Sequence, residues 1–152
     1  MPRTPFTEMN CSVAQCAHII GERWSVLLIR DAMMGITRFE DFRARTGIAR
    51  NILSSRLDDL VSNGILTRVQ YADKPVRHEY VLTEKGMDLW HVLGAMAQWG
   101  DKWSAPNGPP VVLEHSACDH QATITPTCSH CGETLDLGTL SLRPGPGAAR
   151  SA

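Results

Sequence analysis

Two short runs near the end of the chain hold metal-type donors at close spacing: Cys118-Asp119-His120 and Cys128-Ser129-His130-Cys131-Gly132. In a C-x2-C-G knuckle, glycine permits the tight turn that carries two sulfurs on one side. A C-x-H pair seven residues earlier supplies the other half of a Cys3His tetrahedron suited to structural Zn2+. The predicted ligands are Cys118, His120, Cys128 and Cys131, with His115 and His130 as substitutes. A metal-free reduced segment and a disulfide are the alternatives. Two further thiols, Cys11 and Cys16, lie near the start. The odd total of five cysteines argues against a secreted disulfide framework and for metal binding or thiol chemistry.

The elements that would position other polar chemistry lie between residues 12 and 103. Residues 12–20 and 22–34 are predicted as two helices broken near Gly21, with Trp24, Leu27, Leu28 and Ala32 sharing a face. Thr37-Arg38-Phe39-Glu40 matches a capping box opening a short helix over 38–45, which Gly47 ends. A helix over 49–62 follows, with an inward stripe of Leu53, Leu57, Leu60 and Val61, and stops at Asn63-Gly64. A short helix, a tight glycine turn and a second helix make helix-turn-helix spacing. Ile65–Tyr71 and Glu79–Leu82 are β-rich around a polar turn over 72–77, predicting a hairpin wing. Thr83 then caps a long helix over 84–103. Its Trp90, Trp99 and Trp103 exceed what a hundred-residue domain can easily cover, so a second copy is expected against it.

Composition bounds the alternatives. The 152 residues carry 15 Lys+Arg and 16 Asp+Glu, so no global basic field exists. Residues 38–77 nevertheless hold eight bases against five acids, and residues 105–152 two against four. The longest aliphatic run, Val26-Leu27-Leu28-Ile29, is far short of the roughly 20 residues a membrane span needs. The polar start to Asn10 does not match a signal peptide, so a cytoplasmic location without membrane association is expected. The run from Ser104 to Pro110 breaks any helix or central strand. Three regions follow: a main domain over 1–104, a small Cys/His appendage over 105–142, and a tail over 143–152.

The main domain resembles the HxlR-type transcriptional regulators, themselves MarR-like in architecture. The resemblance rests on Cys11-Ser12-Val13-Ala14, on Ile19-Ile20-Gly21-Glu22-Arg23-Trp24, and on Leu27-Leu28-Ile29-Arg30-Asp31. It continues through Arg38-Phe39-Glu40-Asp41-Phe42, Ile48, Leu53-Ser54-Ser55-Arg56-Leu57, Leu60, Asn63-Gly64-Ile65-Leu66 and Tyr80-Val81-Leu82-Thr83-Glu84-Lys85-Gly86. It spans roughly residues 10–103, and Ala49 departs from the serine common there. The implied fold is mainly α (α+β). It comprises a winged helix-turn-helix, a long C-terminal dimerisation helix and the small appendage. The implied activity is sequence-specific regulation of transcription by a homodimer on double-stranded operator DNA, as a repressor answering a redox, electrophile or small-molecule signal. Cys11 aligns with the sensing cysteine of some members, with inert packing as its alternative; Cys16 is expected in the core.

The second helix of such a motif offers its first turns to base edges in the major groove. The leucine stripe turns Arg50, Asn51, Ser54 and Ser55 outward. Arginine can bond guanine bidentately, asparagine adenine, and serine either donates or accepts. Arg56 is expected on a phosphate or in an ion pair, Arg38 on a phosphate, and Lys74 and Arg77 at the wing on the backbone or minor groove. Asp58 and Asp59 would mark where groove contact stops. The competing functions are a zinc-ribbon protein-interaction adaptor and a thiol oxidoreductase using Cys128-x2-Cys131. The second lacks a thioredoxin-like βαβ pattern, and no hydrolytic or phosphate-binding motif is present, so an enzyme is not expected.

Overall fold

The computed structural model describes residues 5–148, so residues 149–152 of the predicted tail lie outside the described part. The chain divides into two units, the first ending at Leu93 and the second beginning at Gly94. That boundary falls inside a helix, upstream of the break predicted at the proline–glycine run.

In the first unit, α1 (Ser12–Ile20) and α2 (Ser25–Met33) precede α3 (Phe39–Thr46) and α4 (Arg50–Ser62). Strands β1 (Leu66–Asp73) and β2 (Val76–Leu82) form an antiparallel hairpin behind α4. This is a winged helix-turn-helix, as the residue pattern predicts. The core gathers Leu28 and Ile29 of α2, Phe42 of α3, Ile48, Leu53, Leu57 and Leu60 of α4, and Ile65, Leu66 and Tyr80 at the base of the wing. Apolar burial at three- and four-residue spacing is what seats α4 against α2.

Several local expectations are corrected. Trp24 does not lie inside α2; it is the half-buried residue preceding its first turn, because Glu22 and Arg23 spend the break in a turn. The capping box at Thr37 does not form. Arg38 pairs as a one-residue bridge with Glu79 of β2, and the Thr37 carbonyl accepts the Tyr80 N–H at 2.8 Å. Extended backbone there delays the helix to Phe39 and frees the Glu40 carboxylate for other partners. The wing is longer than predicted, so only Lys74-Pro75 remains as its turn and Arg77 belongs to β2.

Gly47 does end α3, at φ +67°, a left-handed conformation that costs glycine little. The Thr46 hydroxyl supports the same turn, donating to the Phe42 carbonyl at 2.7 Å and accepting from the Ile48 N–H. Ala49 precedes α4 without a side-chain cap, and the helix starts at Arg50, one residue later than predicted.

Thr83 caps as expected, accepting the Gly86 N–H at 3.1 Å while donating to the Gly64 carbonyl at 2.6 Å. The helix that it opens is not continuous. It stops after α5 (Glu84–Asp88), and α6 (Trp90–Ser104) begins past Leu89, which packs half-buried on the core.

The second unit takes up most of α6 and then two small hairpins. β3 (Glu114–His115) pairs with β4 (His120–Gln121), and Thr127 bridges Thr134 further on. The Gln98 amide of α6 clasps Ile124, accepting its N–H at 2.8 Å and donating to its carbonyl at 3.1 Å.

Candidate nucleic-acid interface

Burial of Leu53, Leu57 and Leu60 fixes the roll of α4, and the opposite side is left to Arg50, Asn51, Ser54 and Ser55. Asn51 and Ser55 are exposed and Ser54 half-buried; none makes a side-chain hydrogen bond among the described residues. Their donors and acceptors are therefore free for a ligand. Arg50 is exposed but engaged. Its guanidinium pairs with Glu40 of α3 and lies 5.1 Å over the Phe39 ring. Glu40 also meets Arg43 at 3.3 Å. These two residues and Ala44, Gly47, Ile48 and Ala49 line an open cleft of about 390 Å³ beside the start of α4.

The remaining cations fall into two groups. Arg38 is tied to the wing, with Nε 3.2 Å from Glu79 and its guanidinium 4.9 Å over the Tyr71 ring. Arg56 lies partly buried between Asp59 at 2.8 Å and Glu22 at 3.3 Å, the ion-pair option of the two that its sequence position leaves open. Lys74 and Arg77 are exposed and carry no ion pair among the described residues. They have the open geometry of phosphate contacts. Asp58 and Asp59 turn to Arg68 and Arg56, so their charges are partly neutralised within the protein.

Sequence reasoning missed Arg68, which stands 5.5 Å over the Tyr80 ring beside Asp58, and it missed Asp31. Asp31 is fully buried. Its Oδ1 accepts from Arg30 at 2.8 Å and meets Arg45 of α3 at 3.5 Å, while its Oδ2 has no hydrogen-bond partner among the described residues. The one signal was an Arg30-Asp31 pair following the apolar run Val26-Leu27-Leu28-Ile29 of α2; a carboxylate survives burial only when paired.

A helix presenting arginine, asparagine and two serines, followed by a cation-tipped hairpin, has the parts of a groove reader. The family model for the HxlR-like helix-turn-helix matches residues 19–108. The chain belongs to the HxlR-like helix-turn-helix family. An uncharacterized HTH-type transcriptional regulator of Mycobacterium tuberculosis is 42% identical over 137 residues, covering 90% of this chain and 87% of that one. The solved structure of PA1607, described as a candidate transcription factor, superposes with a TM-score of 0.83 at 33% identity, over 93% of this chain and all of that one. The redox regulator HypR in its reduced form gives a TM-score of 0.58 at 31% identity, over 60% of this chain and 92% of that chain. This HxlR-like protein is thus a DNA-binding transcription regulator.

The cysteines of this HxlR-like chain are all free. Cys11 is exposed immediately before α1, and the segment leading to it is held by Gln15, whose amide donates to the carbonyls of Phe6, Thr7 and Met9. Cys16 packs half-buried against the core, as expected. In the second unit the Cys128 thiol is held below its ordinary value, first by the Cys131 N–H, then by the His130 N–H and the Cys131 thiol, against a small opposing effect of burial. Cys118 lies 3.4 Å from His115 Nδ1, whereas His120 turns its Nδ1 to the Cys118 carbonyl. The structure thus brings Cys128 to Cys131 and Cys118 to His115. Among the described residues no three such donors converge on one point.

No described helix is long and apolar enough to cross a membrane.

Proposed function

We propose that this regulator is a cytoplasmic homodimeric repressor that reads operator DNA with the first turns of α4 and steadies itself with the wing. The carrying observation is the outward side of α4, where Asn51, Ser54 and Ser55 are unpartnered and Arg50 is held at the surface. Arg50 and Asn51 would contact bases, Ser54 and Ser55 flank them, and Arg38, Lys74 and Arg77 would meet the backbone. Arg56 is the weakest member of the set, since both of its carboxylate partners would have to be outcompeted. The reading domain is taken as 1–104, with 105–142 as an appendage and 143–152 as a tail. The dimer is supported by Trp90, Trp99 and Trp103 of α6, which stand 49%, 64% and 66% exposed. Two half-sites one or two helical turns apart follow from that symmetry. No enzymatic activity is assigned; the relatives are transcription regulators.

The testing experiment is a mobility shift on DNA upstream of the chain's own gene, titrated with salt. Lys74→Ala is expected to weaken all sequences alike and to reduce the salt slope by about one unit. No shifted complex on any upstream fragment, or an unchanged slope in the variant, goes against the reading.

Likeness to a redox regulator supports Cys11 as the responding thiol, because it is exposed at the start of α1 while Cys16 is packed away. Diamide or a quinone should lower operator affinity of the parent chain, and Cys11→Ser should leave affinity unchanged by oxidant. Equal loss in both proteins would remove Cys11 from this role. The appendage is read as holding structural zinc, because the turn from Cys128 to Gly132 is closed by the Gly132 N–H on the Cys128 carbonyl and little else in that segment is packed.

A further inference from the structure

The two hairpins of the second unit repeat one turn. In the first, residue i is His115, i+3 is Cys118 and i+4 is Asp119; the Asp119 N–H returns to the His115 carbonyl at 2.9 Å. In the second, i is Cys128, i+3 is Cys131 and i+4 is Gly132; the Gly132 N–H returns to the Cys128 carbonyl at 2.8 Å. Both i+4 residues are left-handed, Asp119 at φ 55° and Gly132 at φ 77°. Asp119 is the one non-glycine residue among those described to adopt that conformation, which aspartate tolerates better than most residues. Residue i+5 then pairs back across the hairpin: His120 opposite His115, and the Glu133 carbonyl accepting the Cys128 N–H.

The repeat assigns the donors. In the second turn the side chains at i and i+3 come together, with Cys131 beside Cys128. In the first the same positions hold His115 and Cys118, already 3.4 Å apart from Nδ1 to Sγ. His120 occupies the i+5 position, matching Glu133 and not a knuckle donor, and lies opposite His115 across the hairpin; its Nδ1 meets the Cys118 carbonyl, which leaves Nε2 free, so the repeat and not this contact is what sets it apart.

We infer that the two turns are paired knuckles of one tetrahedral Cys3His zinc site formed by His115, Cys118, Cys128 and Cys131, with His120 outside the ligand set. This rests on the zinc reading of the appendage and replaces the set expected from the C-x-H spacing. Each pair is built, but the two pairs stand apart, and the ion is what joins them. With Zn–S bonds of about 2.3 Å and Zn–N bonds of about 2.0–2.1 Å, the donor atoms must come within roughly 4 Å of one another. The nine residues between Cys118 and Cys128 can span about 30 Å when extended, so chain length does not prevent closure.

The packing gives the ion a structural task. From residue 105 to 148 no side chain is buried, and Leu137 and Leu142 are almost fully exposed. A segment without a core needs another source of cohesion, and metal ligation is one that small modules use.

The test uses the full chain, loaded with Zn2+ and then with Co2+ in its place. One zinc per chain by elemental analysis is expected. The cobalt form should show the intense visible bands of a tetrahedral ion and the charge-transfer absorption of three thiolates. In competition with a chromophoric chelator, His115→Ala should lose affinity by about tenfold or more, and His120→Ala should match the parent. The parent's cobalt spectrum reports the thiolates and geometry even if a variant misfolds. No retained zinc overturns both the ligand set and the zinc reading. Retained zinc with a weak octahedral cobalt spectrum, or with His120→Ala as the damaging change, overturns the ligand set alone.

Discussion

Phe42→Ala should destabilise the winged unit by about 3–5 kcal/mol, the range for removing a fully buried aromatic ring. Phe42 has no exposed surface and joins a cluster with Leu28 and Ile29 of α2 and with Ile48, Leu53 and Leu57 around the start of α4. A void there cannot be filled by sliding α4, because the Gly47 turn and the Thr46 hydroxyl hold α3 and α4 at fixed spacing. For a domain of about a hundred residues, each kcal/mol lowers the melting temperature by roughly 4–8 °C. Thermal unfolding followed by circular dichroism should therefore drop by on the order of 10–40 °C. Phe39 is only half-buried on the edge of the same cluster, and its alanine variant should cost distinctly less. Equal melting points for parent and Phe42→Ala would mean that α3 is not seated through this ring. Operator binding should fall with the same variant, since α4 is presented by the packing that Phe42 completes.

The elements recognised from sequence are those with a local cause. Leu53, Leu57 and Leu60 announce their buried face by spacing alone, and Gly47 announces the turn before them by what only glycine does cheaply. What escaped depends on partners far along the chain. Arg38 joins Glu79 across 41 positions, so nothing near Thr37 foretold that a strand-like bridge would displace a capping box. Arg56 finds Glu22, a residue on the far side of α2 and α3 in the chain, and only the fold brings them together. The joint at Leu89 is invisible in a periodic pattern that runs through it, because packing on the core rather than a helix breaker sets it. Outward residues of α4 were legible for the converse reason: the leucines that face inward leave them no other direction.

Arg50→Ala should remove base discrimination at one position of each half-site, by about 1–3 kcal/mol per site, or roughly 5- to 150-fold. The guanidinium is not idle in the free protein, since Glu40 holds it over the Phe39 ring. Both partners of that pair are more than half exposed, and such pairs contribute only about 0–1 kcal/mol. A bidentate bond to a guanine edge outweighs this, so DNA can take Arg50 from Glu40 at small cost. The same comparison gives the sign for the partner. Glu40→Gln removes a negative charge beside the start of α4, which should raise affinity for every polyanionic sequence modestly while leaving the preferred base unchanged. Selection of bound sequences from a randomised half-site, done on parent and both variants, separates the two effects. Arg50→Ala should flatten one column of the preference, and Glu40→Gln should shift overall affinity and the salt dependence without flattening any. An Arg50→Ala protein with the parent's full preference would move base reading away from this residue. Asn51, Ser54 and Ser55, which need no partner displaced, would then have to account for it alone.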